Sequence, residues 1–232
     1  MPNDNLVFDL GAHRGVDCRF YLECGYKVVA VEANPSLAGE LRTTFARQIA
    51  DGRLIVENIG ISHREGMQPF FSNLDVDEWS SFIEQLGTRR DARYEVVDVE
   101  CRSPGYLFDK YGMPYFLKVD IEGYETTVVR ELAARPNRPV FVSIEDGGLD
   151  YMHVLAQSGA KKYQFVSQNA IRDVPLRIAR LGKSWTFGAS SSGPFGPDLP
   201  GEWLDPETAL RHYVDHVSKH SHDTWWDIHG MY

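Results

Sequence analysis

Residues 6–35, LVFDLGAHRGVDCRFYLECGYKVVAVEANP, restrict the fold more than any other stretch of this chain. Leu6, Val7, Phe8 and Leu10 form an apolar run broken only by Asp9, the pattern of a strand buried on both faces of a parallel sheet. Gly11 and Gly15 frame a turn into a helix expected over residues 14–23, which Cys24-Gly25 ends. Gly11 can take backbone angles closed to other residues, and Gly15 offers no side chain to block a ligand. Residues 27–31 form a second strand, with Glu32 at its carboxyl end, 23 positions after Asp9. This is a βαβ unit, and open sheets built from such units bind ligands beyond the carboxyl ends of their strands.

The turn reads Asp9-Leu10-Gly11-Ala12-His13-Arg14-Gly15, a DxGxxxG row. A dinucleotide fingerprint needs a middle glycine where His13 stands. Asp9 would also repel a diphosphate at short range, whereas it would attract the sulfonium and ammonium of S-adenosylmethionine. Glu32 is placed to accept hydrogen bonds from both ribose hydroxyls. S-adenosylmethionine is therefore the expected cofactor, held by Asp9, Gly11, Ala12, His13, Gly15 and Glu32.

Three segments resemble the signatures of FkbM-type methyltransferases: residues 9–15 as above, Val31-Glu32-Ala33-Asn34-Pro35, and Leu117-Lys118-Val119-Asp120-Ile121-Glu122-Gly123-Tyr124-Glu125. Ser80-Ser81-Phe82 and residues 191–196, SSGPFG, are similar to stretches of bacterial members, and His13 stands where many members carry Asn. The resemblance implies a class I, Rossmann-like, doubly wound and mostly parallel sheet. It also implies methyl transfer to a hydroxyl of a sugar, glycolipid or secondary metabolite. We expect residues 1–188 to form the catalytic domain and residues 189–232 a C-terminal loop-and-helix extension packed on it.

Composition narrows the partners. A net charge of −9 argues against a nucleic-acid binder, which needs a basic surface to displace counterions. No apolar run approaches the length of a membrane span. The three cysteines show no metal spacing, and MPNDN does not read as a signal leader. These features suggest a cytoplasmic enzyme acting on a small-molecule acceptor, with homo-oligomerisation left open.

Along the chain, Pro35 starts a helix with Leu37, Leu41, Phe45 and Ile49 at helical spacing to Ala50, and residues 54–61 form the third strand. Asn58 near its carboxyl end is either a ligand of adenine or an ordinary loop residue. Added strands are expected at 67–71 and 94–101, a fourth strand at 115–119 ending in Asp120 and Glu122, and a fifth at 140–144 ending in Glu145-Asp146. Residues 162–167 and 183–187 read as the last two strands. A helix over 206–218 would place Leu210, Tyr213 and Val217 on one side, with Trp225, Trp226 and Tyr232 anchoring the tail. His212 and His216 share one face of that helix, as a metal pair or a solvated face; His220, His222 and His229 follow.

A hydroxyl nucleophile needs a general base or a metal to lower its pKa. Glu122, Glu145 and Asp146 are the candidate bases, with His13 and His63 as outsiders. Asp120 belongs to the cofactor set and is alternatively a cap for Gly123-Tyr124. Lys118 could pair with one of these acids. The carboxylates also leave Mg²⁺ open as a second cofactor, without an assigned ligand set. Two other readings are an NAD-dependent oxidoreductase and a non-catalytic protein that retains the cofactor fold.

Overall fold

The computed structural model describes residues 1–220 and 224–232; His222 lies outside them. Its strands are β1 (Asn3–Leu10), β2 (Lys27–Val31), β3 (Leu54–Glu57), β4 (Gly60–Ile61), β5 (Gly66–Asn73), β6 (Tyr94–Arg102), β7 (Pro114–Val119), β8 (Phe141–Glu145), β9 (Lys162–Ser167), β10 (Pro175–Ile178), β11 (Lys183–Thr186) and β12 (Trp226–Met231). Seven of them form the central sheet in the order β3-β2-β1-β7-β8-β12-β9. Pairing is parallel from β3 to β8, and β12 runs antiparallel to both β8 and β9. The chain winds outward from β1 to β3 and returns through β7 on the other side of β1. The switch point therefore falls between β1 and β7, where such sheets open a ligand crevice.

Register divides the sheet into two unlike faces. Phe8, Leu10, Leu117, Val119, Val142, Ile144 and Ile228 lie in one apolar core cluster with Leu107, Val128 and Leu132 from the covering helices. Val7, Phe116 and Phe141 lie in a second cluster, with Tyr21 of the helix Val16–Glu23 and Phe195 of the C-terminal loop. Phe195 stacks on Phe116 at 3.9 Å between centroids.

Several expectations are corrected. The third strand stops at Glu57; Gly60–Ile61 instead joins β6 and β5 in a separate three-stranded sheet. A side chain at Gly60 would stand 2.2 Å from the Phe82 ring, so glycine permits this close approach. The helix from Pro35 breaks at Phe45, giving Pro35–Thr44 and Ala46–Ala50, and Asn34 caps its start by accepting from the Ser36 and Leu37 amides. Residues 183–187 do not enter the main sheet: β11 pairs with β10 in a hairpin. The last sheet strand is β12, from the tail expected to be an appended extension, so residues beyond 188 run through the sheet between β8 and β9. The C-terminal helix Pro206–His212 passes into a π turn, Tyr213–Val217. Its inward residues are Ala209, Tyr213 and Val217, while Leu210 is exposed. Among the described residues no helix is long and apolar enough to cross a membrane.

Candidate active site

The carboxyl ends of β1, β2, β7 and β8 open into a cavity of about 310 Å³. Gly11 forms its base. Its φ is +81°, and a Cβ there would stand 1.6 Å from the Asp120 carbonyl oxygen, so no other residue fits between β1 and β7. The Gly11 and Ala12 amides both donate to the Val31 carbonyl, which ties the turn to the end of β2. His13 takes a left-handed φ of 48° and donates its amide to Glu32 Oε2 at 2.8 Å. The other Glu32 oxygen accepts from the Asn34 amide at 2.8 Å. Burial raises Glu32 above its usual range, against the pull of these two amides.

Gly15 has a different task from the one expected. It does not line the cavity; a Cβ there would meet Phe45 at 2.5 Å and Leu41 at 2.7 Å, so it admits the next helix rather than a ligand. Asn58 also lies outside the lining. Its amide donates to the Glu32 and Ala33 carbonyls at 2.9 and 3.1 Å, bracing the chain that carries Glu32.

Beneath the turn is a buried charge cluster that the sequence reading only touched. Lys118 Nζ stands 3.3 Å from Asp9, 3.4 Å from Asp120 and 3.6 Å from Asp17. Burial alone would depress Lys118, but Asp9, Asp120 and Asp17 outweigh it and hold the ammonium well above its usual range. Burial pushes Asp17 up to about 6 despite Lys118. Asp17 also accepts from the Ser191 hydroxyl and the Ser192 amide, which anchors the C-terminal loop over the site. Asp9 is fully buried behind this cluster and does not line the cavity, whereas Asp120 does.

The segment after β7 is shaped by Glu125. Its carboxylate accepts from the Ile121 and Gly123 amides and from the Tyr151 hydroxyl, so the capping role weighed for Asp120 belongs to Glu125. This clamp holds Glu122 at a φ of 54°. Glu122 receives a two-pronged ion pair from Arg89 at 2.8 and 2.9 Å, and the Arg89 guanidinium lies 4.6 Å from the Trp79 ring centre. Burial raises Glu122, with Arg89 opposing.

Glu145 lines the same cavity at the end of β8. Its carboxyl makes no hydrogen bond among the described residues. Burial, reinforced by Asp120, Glu122 and Asp227, lifts it well above the carboxylate range. The neighbouring Asp146 points elsewhere: it accepts from the Gly148 amide and the Tyr213 hydroxyl and does not line the cavity. His63 likewise stands outside, stacked on Tyr124. The structure thus brings Glu122, Glu145 and Asp120 together and leaves Asp146 and His63 apart.

The opposite wall comes from residues 76–80. Asp77 accepts from Arg14 and lies 2.9 Å from His13 Nε2. Burial would raise Asp77, but Arg14 and His13 outweigh it and bring it down to about 2. His13, Asp77 and Glu78 are the one group of three donors within 4.8 Å among the described residues. Arg14 already occupies Asp77, and Asp120, Glu122 and Glu145 do not converge to that spacing, so the Mg²⁺ option lacks a ligand set there. His212 and His216 stack 4.9 Å apart and belong to no such group. Gln168 and Trp225, which the sequence reading did not place here, complete the rim.

Seven lining residues are acidic against Arg14 and Lys118. Both cations are engaged by carboxylates, Arg14 by Asp77 and Lys118 by its three neighbours. The cavity is therefore suited to a ligand carrying positive charge.

A family model described as the methyltransferase FkbM domain matches residues 9–167. No curated protein matches the sequence significantly. Among solved structures, the chain is similar to a precorrin-6y C5,15-methyltransferase from Geobacter metallireducens at 11% identity, with a TM-score of 0.45, covering 99% of this chain and 80% of that one. It is also similar to an O-methyltransferase from Bacillus cereus in complex with SAH, at 9% identity and a TM-score of 0.44, covering 98% and 74%.

Proposed function

Because this chain belongs to the FkbM methyltransferase domain family, and is an S-adenosylmethionine-dependent methyltransferase on that ground, we propose that it methylates a hydroxyl oxygen of a sugar, glycolipid or secondary metabolite. The observation that carries the choice of oxygen is Glu145. It is a half-buried, cavity-lining carboxyl without a hydrogen-bond partner among the described residues, in a field that raises its proton affinity. General bases work best when their pKa lies near the operating pH, and a hydroxyl needs such a base where a thiol or free amine does not.

The residues fit the cofactor on two counts. Gly11 lines the cavity and lets the turn close against the Asp120 carbonyl, and the Lys118 cluster keeps surplus negative charge below it. Gly11, Ala12 and His13 would hold the nucleoside end, with Glu32 accepting from the ribose hydroxyls on its remaining lone pairs. Asp120 and Asp17 would face the ammonium. When bound, S-adenosylmethionine supplies an electrophilic methyl group. The chain's own work is to align the acceptor, exclude water and take the hydroxyl proton at Glu145. Arg89 pairs with Glu122 beside it and opposes the rise that burial causes, whereas Glu145 has no such partner, so the two acids are placed for different tasks.

A nicotinamide dinucleotide would set its diphosphate against the acidic floor, and the turn lacks the middle glycine it needs, so this second reading is disfavoured. We assign the enzyme to the cytoplasm; its three cysteines are buried and free, which suits a reducing setting. The test is transfer of a labelled methyl group from S-adenosylmethionine to panels of hydroxyl, amine and carboxylate acceptors. Base-stable label in hydroxyl products supports the proposal. Base-labile label, or transfer to amines alone, contradicts it.

A further inference from the structure

One sheet face carries a line of polar residues that the methyl-transfer site does not account for. Cross-strand register pairs Asp9 with Lys118, Lys118 with Ser143, Ser143 with His229, and His229 with Gln164. Directly paired residues point to the same face, so these five side chains form one row across five adjacent strands. Every member of the row is at most 4% exposed. One step toward the amino end of β7 the same face is aromatic, Phe116 and Phe141 under Phe195, so the polar row interrupts a core.

The middle of the row, Ser143 and His229, has no side-chain hydrogen bond among the described residues. Of the seven buried side-chain polar atoms lacking a hydrogen-bond partner among the described residues, five belong to it: Ser143 Oγ, Gln164 Oε1, both ring nitrogens of His229, and Asp9 Oδ1, which has only its ion pair with Lys118 at 3.3 Å. A sixth is the hydroxyl of Tyr21, on the helix that covers this face. Buried polar groups are almost always hydrogen-bonded, to protein or to ordered water, and a water needs two to four such partners. Isolated orphans would be unrelated defects, but here they are consecutive. Burial holds His229 neutral, down to about 3, so its ring offers one donor and one acceptor. Ser143 and Tyr21 offer both kinds, and Gln164 and Asp9 offer acceptors.

The row has two ends. At one end Lys118 and Asp17 belong to the cavity lining. At the other, the Gln164 amide donates to the Pro200 carbonyl, in an exposed turn with Gly201. Residues 191–196 are buried between these ends and cover the face.

We propose that Ser143, His229 and Gln164, with Asp9 and Tyr21, line a buried file of ordered waters that joins the floor of the active-site cavity to solvent at the Pro200–Gly201 turn. The ligand is water itself. Its use as an exit for the proton taken up at Glu145 rests on the methyl-transfer reading; the file does not.

The crystallographic and thermal tests need neither acceptor nor cofactor, so their failure is distinct from failure of the proposed activity. A crystal structure resolving ordered water should show density within hydrogen-bond distance of Ser143 Oγ and a His229 ring nitrogen. A dry row overturns the proposal. In solution, the protein isotope-labelled on its histidine rings should show exchange between water and the ring N–H resonance that His229→Leu removes. Gln164→Leu, closing the outer end, should slow that exchange at least tenfold when S-adenosylhomocysteine fills the cavity and closes the inner end. Unchanged exchange in Gln164→Leu overturns the exit. His229→Leu separates the alternatives by a further sign: it lowers Tm if waters lose their partners, and raises Tm if the row is dry, because a dry row gains from losing two orphan nitrogens.

Discussion

Replacing Lys118 by methionine should expose how the acidic floor is held. The side chain is 5% exposed and lies 3.3 to 3.6 Å from three carboxylates, themselves between fully buried and one-third exposed. At an effective dielectric constant of about 20, a charge pair at such distances is worth about 5 kcal/mol, and burial of the lysine offsets much of it. Breaking a buried pair by removing one partner typically costs about 3–5 kcal/mol, because the remaining charge is uncompensated. For a chain of this length that corresponds to a loss of about 6–20 °C in Tm. The pH dependence is a sharper test. Without the ammonium, the folded-state pKa of Asp17 moves further above its unfolded value, so the folded state binds more protons and stability falls as pH rises through that window. Asp17 already shows this sense, at about 6 against 3.8. Urea titrations of both proteins at pH 5 and pH 8 measure it. The variant should be close to the wild type at the lower pH and several kcal/mol weaker at the higher. A loss of equal size at both values, or none at pH 8, would refute the assignment of Lys118 as counter-ion.

Other expectations concern the cradle, the base and a cap. Gly11→Ala places a Cβ 1.6 Å from the Asp120 carbonyl at a positive φ, and should weaken S-adenosylhomocysteine binding by more than about a hundredfold in calorimetry, since the backbone cannot yield there. Glu145→Gln should lower kcat about 10²–10⁴-fold with cofactor affinity changed less than about threefold. The wild-type rate should climb with pH through the raised Glu145 pKa, because the base must lose its proton first, and a pH profile of the variant should lack that limb. Asn34→Ala removes the cap from Pro35–Thr44 and should cost about 1 kcal/mol in urea denaturation, without affecting the cavity charges.

The opening βαβ unit was legible because its strands are continuous apolar runs and its glycines have no substitute; β2 occupies the residues expected for it. The tail strand β12 was not. Asp227, His229 and Gly230 break any apolar alternation, because one face of β12 carries the polar row, and because a Cβ at Gly230 would stand 3.0 Å from Val142. Its partners lie 59 or more residues earlier in the chain, beyond any local pattern. In the site, acids at strand ends were visible, but neighbours in sequence face opposite ways along a strand. Glu145 and Asp146 look equivalent as letters, yet one lines the cavity and the other holds Tyr213. Asp17 and Lys118 become a cluster only when β1, the first helix and β7 are brought together.

The most direct measurement is calorimetric titration of the purified protein with S-adenosylhomocysteine and, in parallel, with NAD. The geometry of Gly11, Glu32 and the Lys118 cluster predicts saturable binding of S-adenosylhomocysteine and none of NAD. Binding of NAD alone, or equal binding of both, would contradict the reading of this cavity as the site of a methyl donor.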